Sequence, residues 1–314
     1  MRILVVGAGA IGGYFGARLA AAGGDVTFLV RERRAEQLRR NGLAVISPLG
    51  NVNLPAPSMV SAKELKTHYG LIMVSSKSYD LESSIEDFAN AMGPNSRVLP
   101  LLNGMRHLDV LDARFGARRV LGGLARISST LDADGRIHQL GPYNALAYGS
   151  RDAGDTLIDD VAETLSVPGF DALKSEDILH EMWEKWVFIA AAASTTSFMR
   201  ATIGDIMAAD AQDIPVRLLQ ECGAIAAANG FPPREGATKA ALAVLTAPGS
   251  AFTASMLRDI EQGSRIEADH IVGDLLRRGS KAPPAPLLST AFAHLRAYEM
   301  RRKRESASSS TSTK

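Results

Sequence analysis

Residues 1–16, MRILVVGAGAIGGYFG, constrain the fold more than any other stretch of the chain. Ile3, Leu4, Val5 and Val6 form a short apolar run rich in β-branched residues, which reads as a strand covered on both faces. Gly7, Gly9 and Gly12 follow in G-x-G-x-x-G spacing, and the Ala/Leu-rich residues 14–22 read as a helix. Strand, glycines and helix in that order are the context that a dinucleotide-binding motif requires. Gly7 allows the tight turn, Gly9 lets the backbone approach a pyrophosphate, and Gly12 lets helix and sheet close up. The pyrophosphate then meets the free N–H groups and positive end of the helix. Gly7, Ala8, Gly9, Ala10, Ile11 and Gly12 are therefore expected to bind a dinucleotide. The alternative is an ordinary strand–helix turn without a ligand.

Residues 25–30 supply a second strand. In an NAD site its end carries an acid for the ribose 2′-hydroxyl. Here the chain continues Arg31, Glu32, Arg33, Arg34. A guanidinium at that place matches a 2′-phosphate by charge and forked geometry, which favours NADP(H) over NAD(H). Two other readings stay open. Glu32 can turn towards the ribose, and the three arginines can be a solvated helix start.

At 314 residues the chain is long enough for two domains. Short strands and helices alternate up to about residue 170, which predicts a mainly parallel, doubly wound α/β sheet. From Ser175 onward strand signals vanish, and helices are expected at 177–199, 211–229, 235–245, 253–262, 267–278 and 287–304. The domains are thus set at 1–172 and 173–304. The last ten residues, ESASSSTSTK, read as a disordered tail, 305–314. A net charge of +1 implies no nucleic-acid partner, and one cysteine, Cys222, rules out an internal disulfide. Cys222 falls in an Ala-rich helical pattern and reads as inert and buried. Residues 187–193 are too few to span a bilayer, and the N-terminus is punctuated unlike a signal peptide, so a cytoplasmic protein without a membrane partner is expected.

Residues just beyond the strand ends are where such sheets bind ligands. Ser75, Ser76 and Lys77 follow the third strand, and Asn103 and Gly104 the next. Lys77 is placed for a phosphate or ribose, or is a surface lysine. Asn103 has the donor and acceptor to orient a nicotinamide or a carbonyl, or is half of an Asn-Gly turn. In the helical half Lys185 stands between Trp183 and Trp186 in an apolar helix. It either snorkels or is a partly desolvated proton donor. Glu267 opens a later helix, where a carboxylate is stabilised without any function. The histidines show no metal-ligand spacing and no nucleophile elbow is present, so metal and acyl-transfer chemistry are set aside.

Taken in order, Gly7-x-Gly9-x-x-Gly12, Arg31, Ser75-x-Lys77, Leu102-Asn103-Gly104-Met105, Trp183-x-Lys185, Ser255-Met256-Leu257-x-Asp259 and Glu267 resemble the ketopantoate reductases. These are NADPH-dependent 2-dehydropantoate 2-reductases, and the resemblance runs from residue 1 to about 298. It implies a Rossmann domain followed by an all-α domain of the 6-phosphogluconate dehydrogenase type. Lys185 matches the family's proton donor, and Asn103 the asparagine that meets both cofactor and substrate. Glu267 matches a glutamate of the family's cleft, counted with both the catalytic and the cofactor residues. Ser255 matches the serine on the substrate carboxylate. Arg31, Lys77 and Ser128 match cofactor contacts. NADPH would reduce the C2 carbonyl of a 2-keto acid while Lys185 supplies the proton.

The family's further asparagines are replaced by Ile189, Ala193 and Ile203. Lys185, Ile189 and Ala193 advance by four and share one helical stripe. A substrate with a more apolar tail than ketopantoate is therefore expected, with Ser194, Thr195 and Thr196 as hydroxyls that a small rotation would bring in. Two alternatives stand beside this reading: another hydroxy-acid dehydrogenase of the same architecture, and a non-catalytic NADPH-binding sensor. A homodimer is an open possibility for its assembly.

Overall fold

The computed structural model describes residues 1–152 and 154–311, which form two compact units. The first holds 1–102 and 107–179; the second holds 103–106 and the chain from His180 onward.

In the first unit the elements are β1 Ile3–Val6, α1 Gly12–Ala21, β2 Val26–Leu29, α2 Glu32–Asn41, β3 Leu43–Ile46, β4 Val52–Leu54, β5 Met59–Val60 and β6 Tyr69–Val74. They continue with α3 Leu81–Phe88, β7 Met92–Pro100, α4 Arg106–Phe115, β8 Gly122–Leu131, β9 Ile137–Gly149, α5 Ile158–Leu165 and β10 Asp171–Lys174. Five parallel strands make the first sheet in the order β5-β2-β1-β6-β7. The order reverses at β1, with β2 on one side and β6 on the other, so the glycine loop leaves the sheet at its switch point. Every residue of β1 and β2 is buried, as expected of strands covered on both faces.

The doubly wound parallel sheet is as expected, and the remaining strands build a second sheet. Its order is β10-β9-β3-β4, with β8 antiparallel to β9. The burial of β3 shows why: Leu43 and Val45 are buried while Ile46 is exposed, the period of a sheet covered on one face. Helix α1 packs on strands of both sheets. Its second face carries a buried polar network, in which Tyr14 donates to Gln139 Oε1 at 2.7 Å and Arg18 donates to the Gly50 carbonyl at 2.6 Å.

β10 pairs in parallel with β9, which moves the division of the chain from 172/173 to 179/180. Its residues Asp171, Leu173 and Lys174 are exposed, so no buried run announces it. Helix α4 was also missed. Only His107, Leu108 and Leu111 are buried in it, a stripe too thin to stand out among Arg106, Asp109, Asp112 and Arg114.

The second unit is helical: α6 Ile178–Met199, α7 Ile203–Ala208, α8 Asp213–Ala228, α9 Glu235–Leu245 and α10 Ser255–Glu261. A π turn, Asp269–Gly273, follows, then α11 Asp274–Arg278 and α12 Pro286–Thr311. The short α7 is started by a reciprocal cap between Thr202 and Asp205. Cys222 is buried in α8, and burial pushes its thiol pKa up. The tail expected at 305–314 is helical as far as Thr311, since α12 continues. Ser306 and Ser308 donate to the carbonyls of Arg302 and Arg304, four residues back, so their hydroxyls bond within the helix. Positions 312–314 lie outside the described residues. No helix among the described residues is long and apolar enough to cross a membrane.

Candidate active site

The glycine loop is built as its spacing implies. Gly7 has φ +92°, a conformation that costs other residues strain. At Gly12 a Cβ would collide with Ser75 Oγ and stand 2.5 Å from the Gly7 carbonyl oxygen. Gly16 adds to the close approach of helix and sheet, because a Cβ there would lie 2.6 Å from Phe28 Cε1. Gly9 differs from these: a Cβ there would meet nothing within 4 Å. Its lack of a side chain is thus not demanded by protein packing, and it fits the approach of a ligand. No side chain caps α1; the Gly13 amide is taken by the Gly9 carbonyl at 2.9 Å, and the start of the helix remains a place that suits an anion. Ser75 donates to the Val6 and Gly7 carbonyls at 3.1 and 3.2 Å and ties β6 to the loop. Ser76 Oγ is buried without a hydrogen-bond partner among the described residues. An open Gly9, a helix start without a side-chain cap and a buried, unsatisfied hydroxyl together fit a dinucleotide.

The arginines divide by role. Arg31 is exposed; it donates to Ser83 Oγ at 2.8 Å and lies 3.5 Å from Asp80. Glu32 pairs with Arg39 at 2.7 Å, which turns it along its own helix. Arg34 is structural, because its Nε donates to the Ala8 carbonyl at 2.9 Å and its Nη1 to the Gly135 carbonyl at 3.1 Å. Lys77 is exposed and its carbonyl starts a short 3₁₀ turn. Ser128 is exposed at a bulge between Ile127 and Ser129, and Ser129 is the residue that reaches the loop, donating to the Ala10 carbonyl at 3.0 Å. The bulge shifts which residue faces inward. A count along the strand could not reveal it.

In the second unit Lys185 is half-buried on α6, while Trp183 and Trp186 are core residues with ring centroids 4.9 Å apart. Beside it, burial would raise the Glu184 carboxyl, but hydrogen bonds and charge from Arg234 outweigh that and hold its pKa below the usual range. Further along α6, Ile189 is half-buried, but Ala193 is 1% and Ile203, on α7, 0% exposed. The apolar stripe therefore offers a ligand Ile189, with Ala193 and Ile203 behind it in the core. Ser194, Thr195 and Thr196 are all fully buried, so none presents its hydroxyl at the surface. Ser255 is exposed at the first position of α10.

Asn103, although it follows β7 in the chain, belongs to the second unit. Its carbonyl accepts a hydrogen bond from the His270 ring, and Gly104, with φ +83°, packs on that ring. Glu267 precedes the π turn that carries His270. Burial lowers the His270 pKa, an effect only partly opposed by the charges of Glu267 and Asp274. The structure thus gathers the glycine loop, Ser75 and Ser76 in one unit, and Lys185, Asn103, Ser255 and Glu267 in the other. His270 and Ser129 carry no pattern of their own in the sequence, whereas Ser76 falls just beyond a strand end.

Comparison with known proteins agrees with this architecture. The family profile for ketopantoate reductase PanE/ApbA matches residues 3–153, and that for its C-terminal domain matches residues 177–299. The uncharacterized oxidoreductase YkpB of Bacillus subtilis is 36% identical over 302 residues, covering 95% of this chain and 99% of its own. A 2-dehydropantoate 2-reductase of Streptococcus pyogenes is 25% identical over 90% of this chain and 92% of its own. The crystal structure of 2-dehydropantoate 2-reductase from Geobacter metallireducens superposes with a TM-score of 0.85 at 28% identity, covering 95% of this chain and 99% of that one. D-mandelate dehydrogenase, solved with NADH, shares the fold with a TM-score of 0.83 at 21% identity. The chain is an oxidoreductase by kinship, and it belongs to the ketopantoate reductase family.

Proposed function

We propose that this protein reduces a 2-keto acid to the 2-hydroxy acid with NADPH as the hydride source. The observation that carries this reading is the half-buried Lys185 on an apolar helix of a chain that matches the family across both units. When bound, the cofactor supplies a hydride to the C2 carbonyl carbon. The first-turn amides of α1 hold the pyrophosphate, and Arg31 takes the 2′-phosphate, supported by Glu32 being engaged with Arg39. Lys185 donates a proton to the carbonyl oxygen and stabilises the charge developing there. Asn103 orients the carbonyl, Glu267 hydrogen-bonds beside it, and Ser255 holds the carboxylate.

Ile189 favours a tail more apolar than that of ketopantoate. A substrate hydroxyl set against it would lose water without gaining a partner, at about 1–3 kcal/mol, whereas an alkyl or aryl group would gain about 25 cal/mol per Å² buried. The test is NADPH oxidation with a panel of 2-keto acids. Branched or aromatic 2-keto acids are expected to exceed ketopantoate in kcat/KM. A tenfold preference for ketopantoate would overturn the tail assignment, and no turnover with any 2-keto acid would overturn the activity.

A further inference from the structure

The π turn Asp269–Gly273 bonds to Asn103, to Glu267 and to Trp186, the residue that follows Lys185. Its defining bond runs from the Asp274 N–H to the Asp269 carbonyl, five residues back. Such a wide turn shifts carbonyls away from α-helical donors. The carbonyl of Ile271 is met by Trp186, whose Nε1–H donates to it at 2.8 Å. Trp186 is 1% exposed and directly follows Lys185. The N–H of Ile271 donates in turn to the Glu267 carbonyl at 2.9 Å. Lys185 and Glu267 are therefore linked through one side-chain bond and one backbone bond.

The same turn grips Asn103. His270, 8% exposed, gives its ring to the Asn103 carbonyl. A Cβ on Gly104 would stand 3.1 Å from His270 Cδ2 and 3.2 Å from the His270 carbonyl oxygen, so the backbone packs close against His270. Beyond it, Arg106 reaches Asp269 at 3.3 Å, and Asp269 is held from the other side by Arg277 at 2.9 Å. A regular α-helix would rotate the residues on the two sides of the turn by about one residue's worth of angle, and His270 and Ile271 could not then serve both neighbours.

We propose that the π turn is the element that fixes Asn103 and Glu267 relative to Lys185, with His270 and Trp186 as its positioning residues. The proposal rests on the assignment of those three residues to the reaction. It does not require His270 to touch substrate or to exchange a proton.

The test uses the full chain with His270→Phe, His270→Asn, His270→Gln and Trp186→Phe. Three quantities are read: kcat with the best 2-keto acid, the Kd for NADPH, and amide hydrogen exchange over 103–106 and 266–273. His270→Phe should lower kcat by about 10- to 100-fold, the scale expected of a small misplacement at a reacting centre, with NADPH Kd within about twofold. Exchange over 104–106 should rise in step. One of the two amide variants, which keep an N–H donor, should recover most of the loss. Trp186→Phe keeps an aromatic ring and removes the indole donor; it should raise exchange over 266–273 and keeps the test open if His270→Phe does not fold. Unchanged exchange at both segments, or near-normal kcat in His270→Phe, would overturn the proposal. If the unaltered protein reduces no 2-keto acid, the activity assignment fails by itself and exchange alone decides the role of the turn.

Discussion

In the function proposed above, the first unit offers its ligand mainly backbone and the second offers side chains. Around the glycine loop the side chains of Ser75, Ser129 and Arg34 are spent on holding loop carbonyls. In the second unit Lys185 lies on α6 and Ser255 on α10, Glu267 stands in the loop just before the π turn, and Asn103 in the bend before α4. A backbone site is fixed once the strand, turn and helix have formed. A side-chain site depends on how separate helices are tied, here through Trp186 and the π turn. The lesson is that substitutions in the first unit should act on cofactor affinity or on folding, whereas those in the second should act on turnover.

The largest contrast is expected in stability. Arg97 and Asp155 of the first unit form a forked pair at 2.6 and 3.2 Å, with the aspartate side chain only 2% exposed. Asp155→Asn leaves a buried guanidinium unpaired and should cost about 3–5 kcal/mol in urea unfolding. Glu184→Gln in the second unit breaks a pair whose Arg234 is half exposed and should cost about 1 kcal/mol. Equal losses would erase the contrast. The pH dependence has a definite sign. Burial acts to raise the Asp155 pKa, but its hydrogen bonds and the charge of Arg97 leave it lowered. Its contribution is complete above the ordinary carboxylate range and disappears as pH falls through the lowered folded value, so Asp155→Asn should flatten the acid loss of stability below about pH 4.

Next in size is a contrast within the loop itself. Gly12→Ala should lower the melting temperature, because its Cβ meets Ser75 and the Gly7 carbonyl. Gly9→Ala meets no protein atom within 4 Å and should leave the melting temperature alone, while raising the NADPH Kd by about tenfold, or 1.4 kcal/mol. Normal NADPH binding in Gly9→Ala would show that the loop does not hold the pyrophosphate. The smallest effect should come from Arg31→Ala. Arg31 is exposed and shared with Asp80, so its loss should weaken NADPH by about 1 kcal/mol and NADH hardly at all. Titrations of both cofactors by fluorescence would settle the difference, and equal weakening would remove Arg31 from the 2′-phosphate.

What could be read from the sequence follows the same division. The β1–glycine–α1 segment is local, so spacing alone located it, and the long apolar α6 was equally plain. The second sheet was not legible, because β3, β4 and β10 are short and only partly buried, and nothing local says which sheet a strand joins. Lys185, Asn103 and Glu267 were reached through their order along the chain and not from any one motif. Ser129 was missed because a bulge displaces it, and His270 because its partner lies 167 residues away in sequence, at Asn103. Arg34 was grouped with Arg31 as a cation, though the structure gives it to the Ala8 carbonyl.

The division of labour is tested most directly by measuring kcat and the NADPH Kd on one Lys185→Ala preparation. The account predicts that kcat falls by about 10²–10⁴, the range for losing an acid–base group, while the Kd stays within about twofold. Turnover near that of the unaltered protein, or a Kd that rises as far as kcat falls, would contradict it.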